Sequence, residues 1–462
     1  MCEILRSNFE ECFHEIEDVI KKSSFVAIDA EFTGLSLNDS SVYSLFDNAS
    51  TRYKKLKKSV SQFVISQFGL CAFVENTEEL NRYTAYTYNF YLFQPSFGPV
   101  DCRFLCQTSS LEFLCQNKFN FNKFIHEGVP YLNKEEEKEI KTQHENHTLH
   151  CNMTSYKLGD LDEEIKAEIA KTDLWLQSAK EGDEMTFNSE NYIKQYMLLI
   201  ELKNQFKHRN INCKVQDGFR IVITKKCSSD ENIESKFQKE VGRIFLSIVG
   251  FSRVIQLLVK TKKPIVGHNL LTDLMLVYDK FICPLPDQYD EFKRALHEAF
   301  PVVCDTKQLA FKLRRLEILH NCTFLDSTNL DQLYTALTSD VARFFVLYNP
   351  SIELAEISKR YAEKSHLHEA GYDAYLSGYV FLRLAHLYSA KSKGTQLSRA
   401  IPFPKYLKML HPYINIINIA RASIPYLNLA GDDPPSVRPQ WFCVKSRGSS
   451  PLSGPECTRY PV

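Results

Sequence analysis

The sequence predicts an α/β fold: a mixed sheet flanked by helices, interrupted by a small inserted α+β module. Three observations carry this. Short apolar runs of strand type, Phe25-Val-Ala-Ile28, Gln67-Phe-Gly-Leu-Cys-Ala-Phe-Val74 and Lys263-Pro-Ile-Val-Gly267, alternate with segments whose apolar residues recur at helical spacing. Carboxylates follow the apolar runs closely, as in Phe25-Val-Ala-Ile-Asp-Ala-Glu31. Between the first and last strands, residues 162–238 carry a helix-then-strand pattern of their own. With 462 residues, 44% of them hydrophobic, the chain can build sizeable cores in several domains or in one large domain with an insertion.

Residues 4–22 place Leu5, Phe9, Phe13, Ile16 and Ile20 on one stripe, an amphipathic helix leading into the strand at 25–28. Gln67–Val74 and Tyr86–Phe93 read as two further strands, antiparallel to what precedes them. Residues 104–132 are aromatic-rich and read as helical. From 134 to 160 the composition turns charged, with Lys134-Glu-Glu-Glu-Lys138 and His144-Glu-Asn-His147, and reads as the end of a helix followed by a linker. Ile165, Ile169, Leu174 and Leu176 give 162–208 helical spacing, and 213–225 reads as a short strand pair ending in Arg220-Ile-Val-Ile-Thr224. An apolar helix is expected at 240–261, a strand at 263–267, a helix at 270–281, a strand at 301–304 and a helix at 366–390. Residues 404–430 add one more helix and a turn around Pro425. The expected division is 1–161 and 239–430 for the main domain, 162–238 for the insert, and 431–462 for a disordered tail rich in Pro, Ser, Gly and Arg.

Composition excludes several classes. Lys plus Arg and Asp plus Glu number 56 each, so no global positive field draws in nucleic acid. The densest basic run, Arg52-Tyr-Lys-Lys-Leu-Lys-Lys58, is either a local RNA contact or a solvated helix face. The 14 cysteines form no metal-binding spacing, and many sit among apolar residues, which points to a reducing compartment. Neither a secretory signal nor an apolar stretch of about 18 residues is present, so a cytoplasmic protein with no membrane segment is expected, with the nucleus as the alternative.

The chemistry rests on five residues. Asp29 and Glu31, two apart on a strand, face the same way, and such like charges repel unless a cation lies between them. Hard oxygen ligands suit Mg²⁺ or Mn²⁺; the bland alternative is a solvated strand end. Asp273 follows Gly267-His-Asn269 at a helix start, where the helix dipole alone would favour an acid. His268 reads as structural. His368 and Asp373 are five residues apart, which on an ideal helix sets them roughly 140° apart. They can share a site only if His368 sits at or before the first turn; otherwise it is a surface histidine.

The order acid-x-acid, acid, His-x4-Asp resembles the DEDD exonucleases of the His-x4-Asp subtype, which have a ribonuclease H-like fold. The stretches Phe25-Val-Ala-Ile-Asp-Ala-Glu-Phe-Thr-Gly34, Ser66-Gln-Phe-Gly-Leu70, Asn89-Phe-Tyr-Leu-Phe93, Gly128-Val-Pro-Tyr-Leu-Asn133, Gly250-Phe-Ser-Arg-Val254, Cys283-Pro-Leu-Pro286, Asp305-Thr-Lys307 and His368-Glu-Ala-Gly-Tyr-Asp-Ala374 resemble the poly(A)-specific ribonuclease (PARN) family, over about residues 1–430. Ala179-Lys-Glu-Gly-Asp-Glu-Met185, Ile424-Pro-Tyr-Leu-Asn-Leu429 and Pro435-Ser-Val-Arg-Pro439 are closer to the PARN-like branch that includes the exonuclease trimming the 3′ ends of piRNA precursors.

The resemblance implies a 3′-to-5′ exoribonuclease with two Mg²⁺ ions, Mn²⁺ being the substitute, that releases 5′-mononucleotides. Asp29, Glu31 and Asp373 would hold one ion, Asp29 would bridge to the other, and Asp273 would support it. His368 would be the general base. Phe32 would stack on a terminal base or pack in the core, and Lys307 would contact phosphate or lie idle on the surface. The implied partners are single-stranded RNA 3′ ends, a second copy of the chain, and proteins of the piRNA pathway. Poly(A) removal from mRNA and a catalytically silent RNA-binding relic of the fold are the alternatives. In the implied family either an RNA-recognition domain or a membrane anchor follows, whereas this chain ends shortly after Ser449-Ser-Pro-Leu-Ser-Gly454 and reads as a shortened form. The Arg-x3-His signature of the family's small insert has no match in 162–238.

Overall fold

The strand Phe25–Phe32 (β2) organises the molecule, because its alternate residues feed two different cores. The computed structural model describes residues 3–37, 43–149, 158–206, 209, 211–216, 218–226, 233–316, 322, 324–363, 366–392 and 400–438. A short strand Glu3–Ile4 (β1) and a helix Phe9–Lys22 (α1) precede β2; a helix Ala49–Val60 (α2) and the strands Ile65–Glu75 (β3) and Arg82–Tyr91 (β4) follow it. The main sheet has the order β1-β4-β3-β2, continued by Ile265–Gly267 (β8) and Val303–Asp305 (β9). Strand β3 runs antiparallel to both neighbours, while β2, β8 and β9 are parallel. A further strand, Ser351–Leu354 (β10), adds to the edge of β4. This is the mixed sheet of a ribonuclease H-like fold, flanked by helices.

One face of β2 presents Val26, Ile28 and Ala30 to a core shared with α1, the helix Ser252–Thr261 (α9), Leu271–Val277 (α10) and Tyr289–Ala299 (α11). The other face presents Phe25 and Ala27 to the helices Thr306–Leu313 (α12), Leu330–Thr338 (α13), Ala370–Ser392 (α16) and Phe403–Leu410 (α17). Phe25 is stacked between Phe73 at 4.6 Å and Phe403 at 5.2 Å. Helix α16 is apolar nearly all round because it is buried along almost its full length over β2 and β3. On the face beneath it, pairing register sets Asp29, Gly69 and Asn89 in one row and Glu31, Gln67 and Tyr91 in the next.

Between β4 and β8 a separate three-stranded antiparallel sheet, Glu184–Asn188 (β5), Arg220–Lys225 (β7) and Ile211–Gln216 (β6), packs against Leu158–Ser178 (α6), Tyr192–Phe206 (α7) and Ile233–Val249 (α8). Its core also takes in Phe97, Leu132 and Ile140 from outside it.

Several elements differ from the sequence reading, each for a local reason. The expected helix at 104–132 is two short ones, Thr108–Gln116 (α3) and Phe121–Glu127 (α4), separated where Lys118 adopts φ +61° and Asn120 caps the second. The charged stretch after 134 is a full helix, Lys134–Glu145 (α5), closed by a capping box between Asn133 and Glu136; its charges are the solvated face. The helical stretch 162–208 is interrupted by β5, which follows Gly182 at φ +83°. The helix at 240–261 breaks at Gly250, where a Cβ would lie 2.3 Å from the Pro130 carbonyl oxygen. The helix at 270–281 widens into a π turn at Tyr278–Ile282. Residues 431–438 are not loose: the Tyr289 hydroxyl donates to Asp433, and the Val437 N–H to the Ser423 carbonyl. The rest of the expected tail, 439–462, lies outside the described residues.

The basic run is used internally. Arg52 is buried, pairs with Asp47 at 3.1 Å and donates to the carbonyls of Ser44, Ala420 and Arg421, while Lys55 pairs with Asp47 and Lys57 with Asp287. No helix among the described residues is long and apolar enough to cross a membrane.

Gly378 on α16 tests how tightly the helix meets the sheet. A Cβ there would lie 2.1 Å from the ring of Phe73, which is itself wedged against Phe25. Gly378→Ala should gain about 1 kcal/mol in helix propensity yet lose more to overpacking, usually about 1–3 kcal/mol. A lower urea midpoint is expected; a raised one would mean that the Phe73 ring moves freely.

Candidate active site

The apolar face of β2 turns acidic where the strand ends. Beyond Phe25 and Ala27, the same face carries Asp29 and Glu31, as the period of two requires. Helix α16 approaches this end of the sheet closely because Gly69, the cross-strand partner of Asp29, has no side chain; a Cβ there would meet the Ala370 carbonyl oxygen at 1.9 Å. The first turn of α16 then delivers Asp373 over the two strand acids.

His368 meets the geometric condition set by the sequence, because it lies two residues ahead of α16 at φ +65°. Its backbone N–H donates to Asp373 Oδ2 at 3.2 Å, and its Nδ1 lies 4.0 Å from the same oxygen. One ligand atom each from Glu31, His368 and Asp373 falls within 4.8 Å of the others. The ring of Phe113, on α3, meets the His368 ring edge-on at 4.7 Å. The sequence gives no signal for Phe113 beyond its aromatic-rich surroundings.

Asp273 sits in the first turn of α10 and is buried. It enters the same cluster: the proton affinity of Asp29 is raised well above normal by burial first, then by Asp373, Asp273 and Glu31. Glu31 is raised by burial, Asp373 and Asp273. Burial also raises Asp273 and Asp373, partly offset by hydrogen bonds from backbone N–H groups. The imidazole of His368 is shifted the other way by burial, toward its neutral form. All four carboxyls are therefore poorly stabilised as anions by protein groups alone. Among the described residues, buried Asp373 Oδ1 has no hydrogen-bond partner. A close set of hard oxygen donors, short of positive charge and with one buried oxygen unsatisfied, fits divalent cations of the Mg²⁺ type.

The two further site candidates, Phe32 and Lys307, are not among the groups that converge as ligands. Phe32, after a register shift at the end of β2, packs half-buried against the opposite core. Lys307 begins α12 at the same end of the sheet as the acids, near His268. His268 itself is structural, with Nδ1 2.9 Å from the Thr306 hydroxyl.

The sequence reading passes over Asp305. This buried carboxylate accepts backbone N–H groups from Asn269 (3.0 Å), Lys307 (3.0 Å) and Gln308 (3.3 Å) at Oδ1, and from Leu270 (3.2 Å) and Asn418 (3.0 Å) at Oδ2. It thereby ties the start of α10, with Asp273, to the start of α12, with Lys307. The signal was available: like Asp29, Asp305 follows an apolar run, and it also stands at the cap position of a helix.

Comparison with known proteins places these residues in context. Residues 4–381 match the model of the CAF1 family ribonuclease. The chain is 37% identical over 445 residues to the poly(A)-specific ribonuclease PNLDC1 of Mus musculus, covering 93% of this chain and 80% of that protein. It is 32% identical over 447 residues to the pre-piRNA 3′-exonuclease trimmer of Bombyx mori, covering 96% and 82%. To the poly(A)-specific ribonuclease PARN of Xenopus laevis it is 33% identical over 464 residues, covering 93% and 69%.

Asp305→Asn should expose the cost of that hub. Turning one oxygen into an amide nitrogen sets a donor against N–H groups, so stability should fall by roughly 3 kcal/mol or more. Urea denaturation measures it, and an unchanged midpoint would show that the five N–H groups find other acceptors.

Proposed function

The chain belongs to the CAF1 family of ribonucleases, and on that premise we propose that it is a metal-dependent 3′-to-5′ exoribonuclease that trims the 3′ ends of piRNA precursors. The carrying observation is the convergence of Glu31, His368 and Asp373 within 4.8 Å, with Asp29 and Asp273 in the same electrostatic cluster. Trimming is favoured by likeness to the silkworm trimmer, which extends over 96% of this chain. Removal of poly(A) is the second reading, favoured by the names of the mouse and frog relatives. A silent RNA-binding relic is the least favoured, because all five expected groups are retained in one place.

Asp29, Glu31 and Asp373 would hold one Mg²⁺, with Asp29 reaching a second that Asp273 supports; Mn²⁺ has the same ligand preference. When bound, the two ions supply positive charge at the reacting phosphate and ease ionisation of the attacking water. His368 takes the proton. Partial burial shifts the imidazole toward its neutral form, and its Nδ1 lies 4.0 Å from Asp373 Oδ2, beside the acids. Water oxygen bonds to the terminal phosphorus as the bond to the preceding 3′ oxygen breaks. A 5′-mononucleotide leaves, and the preceding 3′ oxygen takes up a proton to become the new 3′ end.

Lys307, at the acid end of the sheet, is placed to meet a backbone phosphate. Phe32 can reach a terminal base only by leaving its contact with the core. The cytoplasm, a reducing compartment suited to 14 cysteines that lie largely among apolar residues, is part of this reading.

End-labelled RNAs, one ending in oligo(A) and one in mixed sequence, test the reading. With Mg²⁺ the chain should shorten them one nucleotide at a time, and chelator should stop it. Asp29→Ala or Asp373→Ala should abolish cleavage, and His368→Ala should slow it roughly 10²–10⁴-fold. Wild-type rates from either acid variant would sink the cation assignment. Preference for the mixed-sequence RNA supports trimming, and preference for oligo(A) supports deadenylation.

A further inference from the structure

Helix α16 has no cap of its own. A helix leaves its first N–H groups unsatisfied, and the residue just before it normally supplies a side-chain acceptor. Here that residue is Glu369, but its carboxylate is turned away to Arg360 and the Tyr361 hydroxyl. The N–H groups of Tyr372 and Asp373 are served by the Glu369 carbonyl. The two remaining ones are served from the sheet: the Ala370 N–H donates to Gln67 Oε1 at 3.0 Å, and the Gly371 N–H to Asn89 Oδ1 at 3.0 Å.

Both amides are almost fully buried, at 2% and 1% exposure. Elsewhere on the α16-facing side the sheet is mainly apolar, with Phe25, Ala27, Cys71, Phe73 and Ala85. Two buried amides there are costly unless bonded. They flank the gap left by Gly69, one in the row of Glu31 and one in the row of Asp29. Gly371 completes the fit, since a Cβ on it would lie 3.1 Å from Asn89 Cβ. The helix end is thus fastened to β3, the neighbour of the strand that carries the acids, and to β4 beyond it.

We infer that Gln67 and Asn89 are positioning residues of the cation site, setting the depth and angle at which α16 presents Asp373 and His368 to Asp29 and Glu31. The inference rests on the two-cation reading given above. An ordinary local cap would satisfy the same N–H groups but leave the helix free to shift against β2. A cap supplied by the sheet fixes that distance, and a change of about 1 Å is enough to spoil a catalytic constellation. Asn89 Nδ2 is buried with no partner among the described residues, so only its oxygen is engaged. The acceptor can therefore be tested apart from the side chain's bulk.

The experiment uses the full chain and two readouts: Mn²⁺ binding by calorimetry without RNA, and RNA shortening across a Mg²⁺ titration. Asn89→Leu and Gln67→Met keep volume and lose the acceptor. Both should weaken Mn²⁺ binding about 10–100-fold, as loss of groups that orient metal ligands usually does. They should also raise the Mg²⁺ needed for half-maximal rate and lower kcat, with KM for RNA within about twofold, since both amides are buried beneath α16 and closed to a ligand. Variants that melt earlier yet bind Mn²⁺ and turn over like wild type would reduce the amides to a structural role and overturn the inference. Wild-type protein that takes no more Mn²⁺ than Asp29→Asn would overturn the cation site itself, and this inference with it.

Discussion

Four carboxylates that repel one another must be held within reach of the same small volume, and the architecture around β2 answers that constraint. Two of them, Asp29 and Glu31, are fixed by strand geometry alone, because residues two apart cannot face different ways. The other two arrive on helix first turns: Asp373 on α16 and Asp273 on α10. Each helix is fastened at that turn by groups that are not themselves among the four, namely Gln67 and Asn89 for α16, and Asp305 for α10. The apolar cores on either side of β2 then hold both helices against a repulsion that would otherwise push them off the strand.

The same constraint explains why this end of the sheet is poor in neutralising groups. No lysine or arginine figures among the main influences on Asp29, Glu31, Asp273 or Asp373; burial leads for each, and the charges acting on them are other carboxylates, offset on Asp273 and Asp373 by backbone N–H groups. A permanent cation from the protein would make the bare site more stable but would compete with Mg²⁺ for the same oxygens. Raised proton affinity means that, near neutral pH, ionising these acids opposes folding. A divalent ion held there, as proposed, would remove that penalty and favour the native state in proportion to how far the ion exceeds its dissociation constant. The site is thus costly to keep bare, and it favours what fits it.

Much of this was legible in the sequence. Asp29 and Glu31 follow from the period of two, and the angle between His368 and Asp373 required the histidine to precede the helix, where it lies. What stayed hidden was of four kinds. Neutral amides such as Gln67 and Asn89 look like any polar residue until the register of β3 and β4 places them under α16. Asp305 followed the same strand-end pattern as Asp29, but its role depends on Asn418, more than a hundred residues later. The basic run at 52–58 looked solvent-facing, yet Arg52 is spent on Asp47 and on carbonyls near 420 that no local pattern announces. Helix breaks at Gly250 and Lys118 were missed because apolar periodicity runs on across a change in direction.

Topology gives the deeper reason why residues from 29 to 373 can meet. From β2 the chain first moves to one side, through β3 to β4, and only much later to the other, through β8 to β9. Sheet order therefore reverses at β2, which sets the carboxyl ends of the parallel strands β2 and β8 side by side at one end of the sheet. The acids of β2, the Asp273 turn after β8 and the Asp305 cap after β9 all lie at that end. A module inserted between β4 and β8 is carried by the one long excursion that separates the two halves, so its addition does not disturb the pairing of β2 with either neighbour. The strand that gathers the site is thus also the one whose pairing the long excursion between β4 and β8 leaves intact.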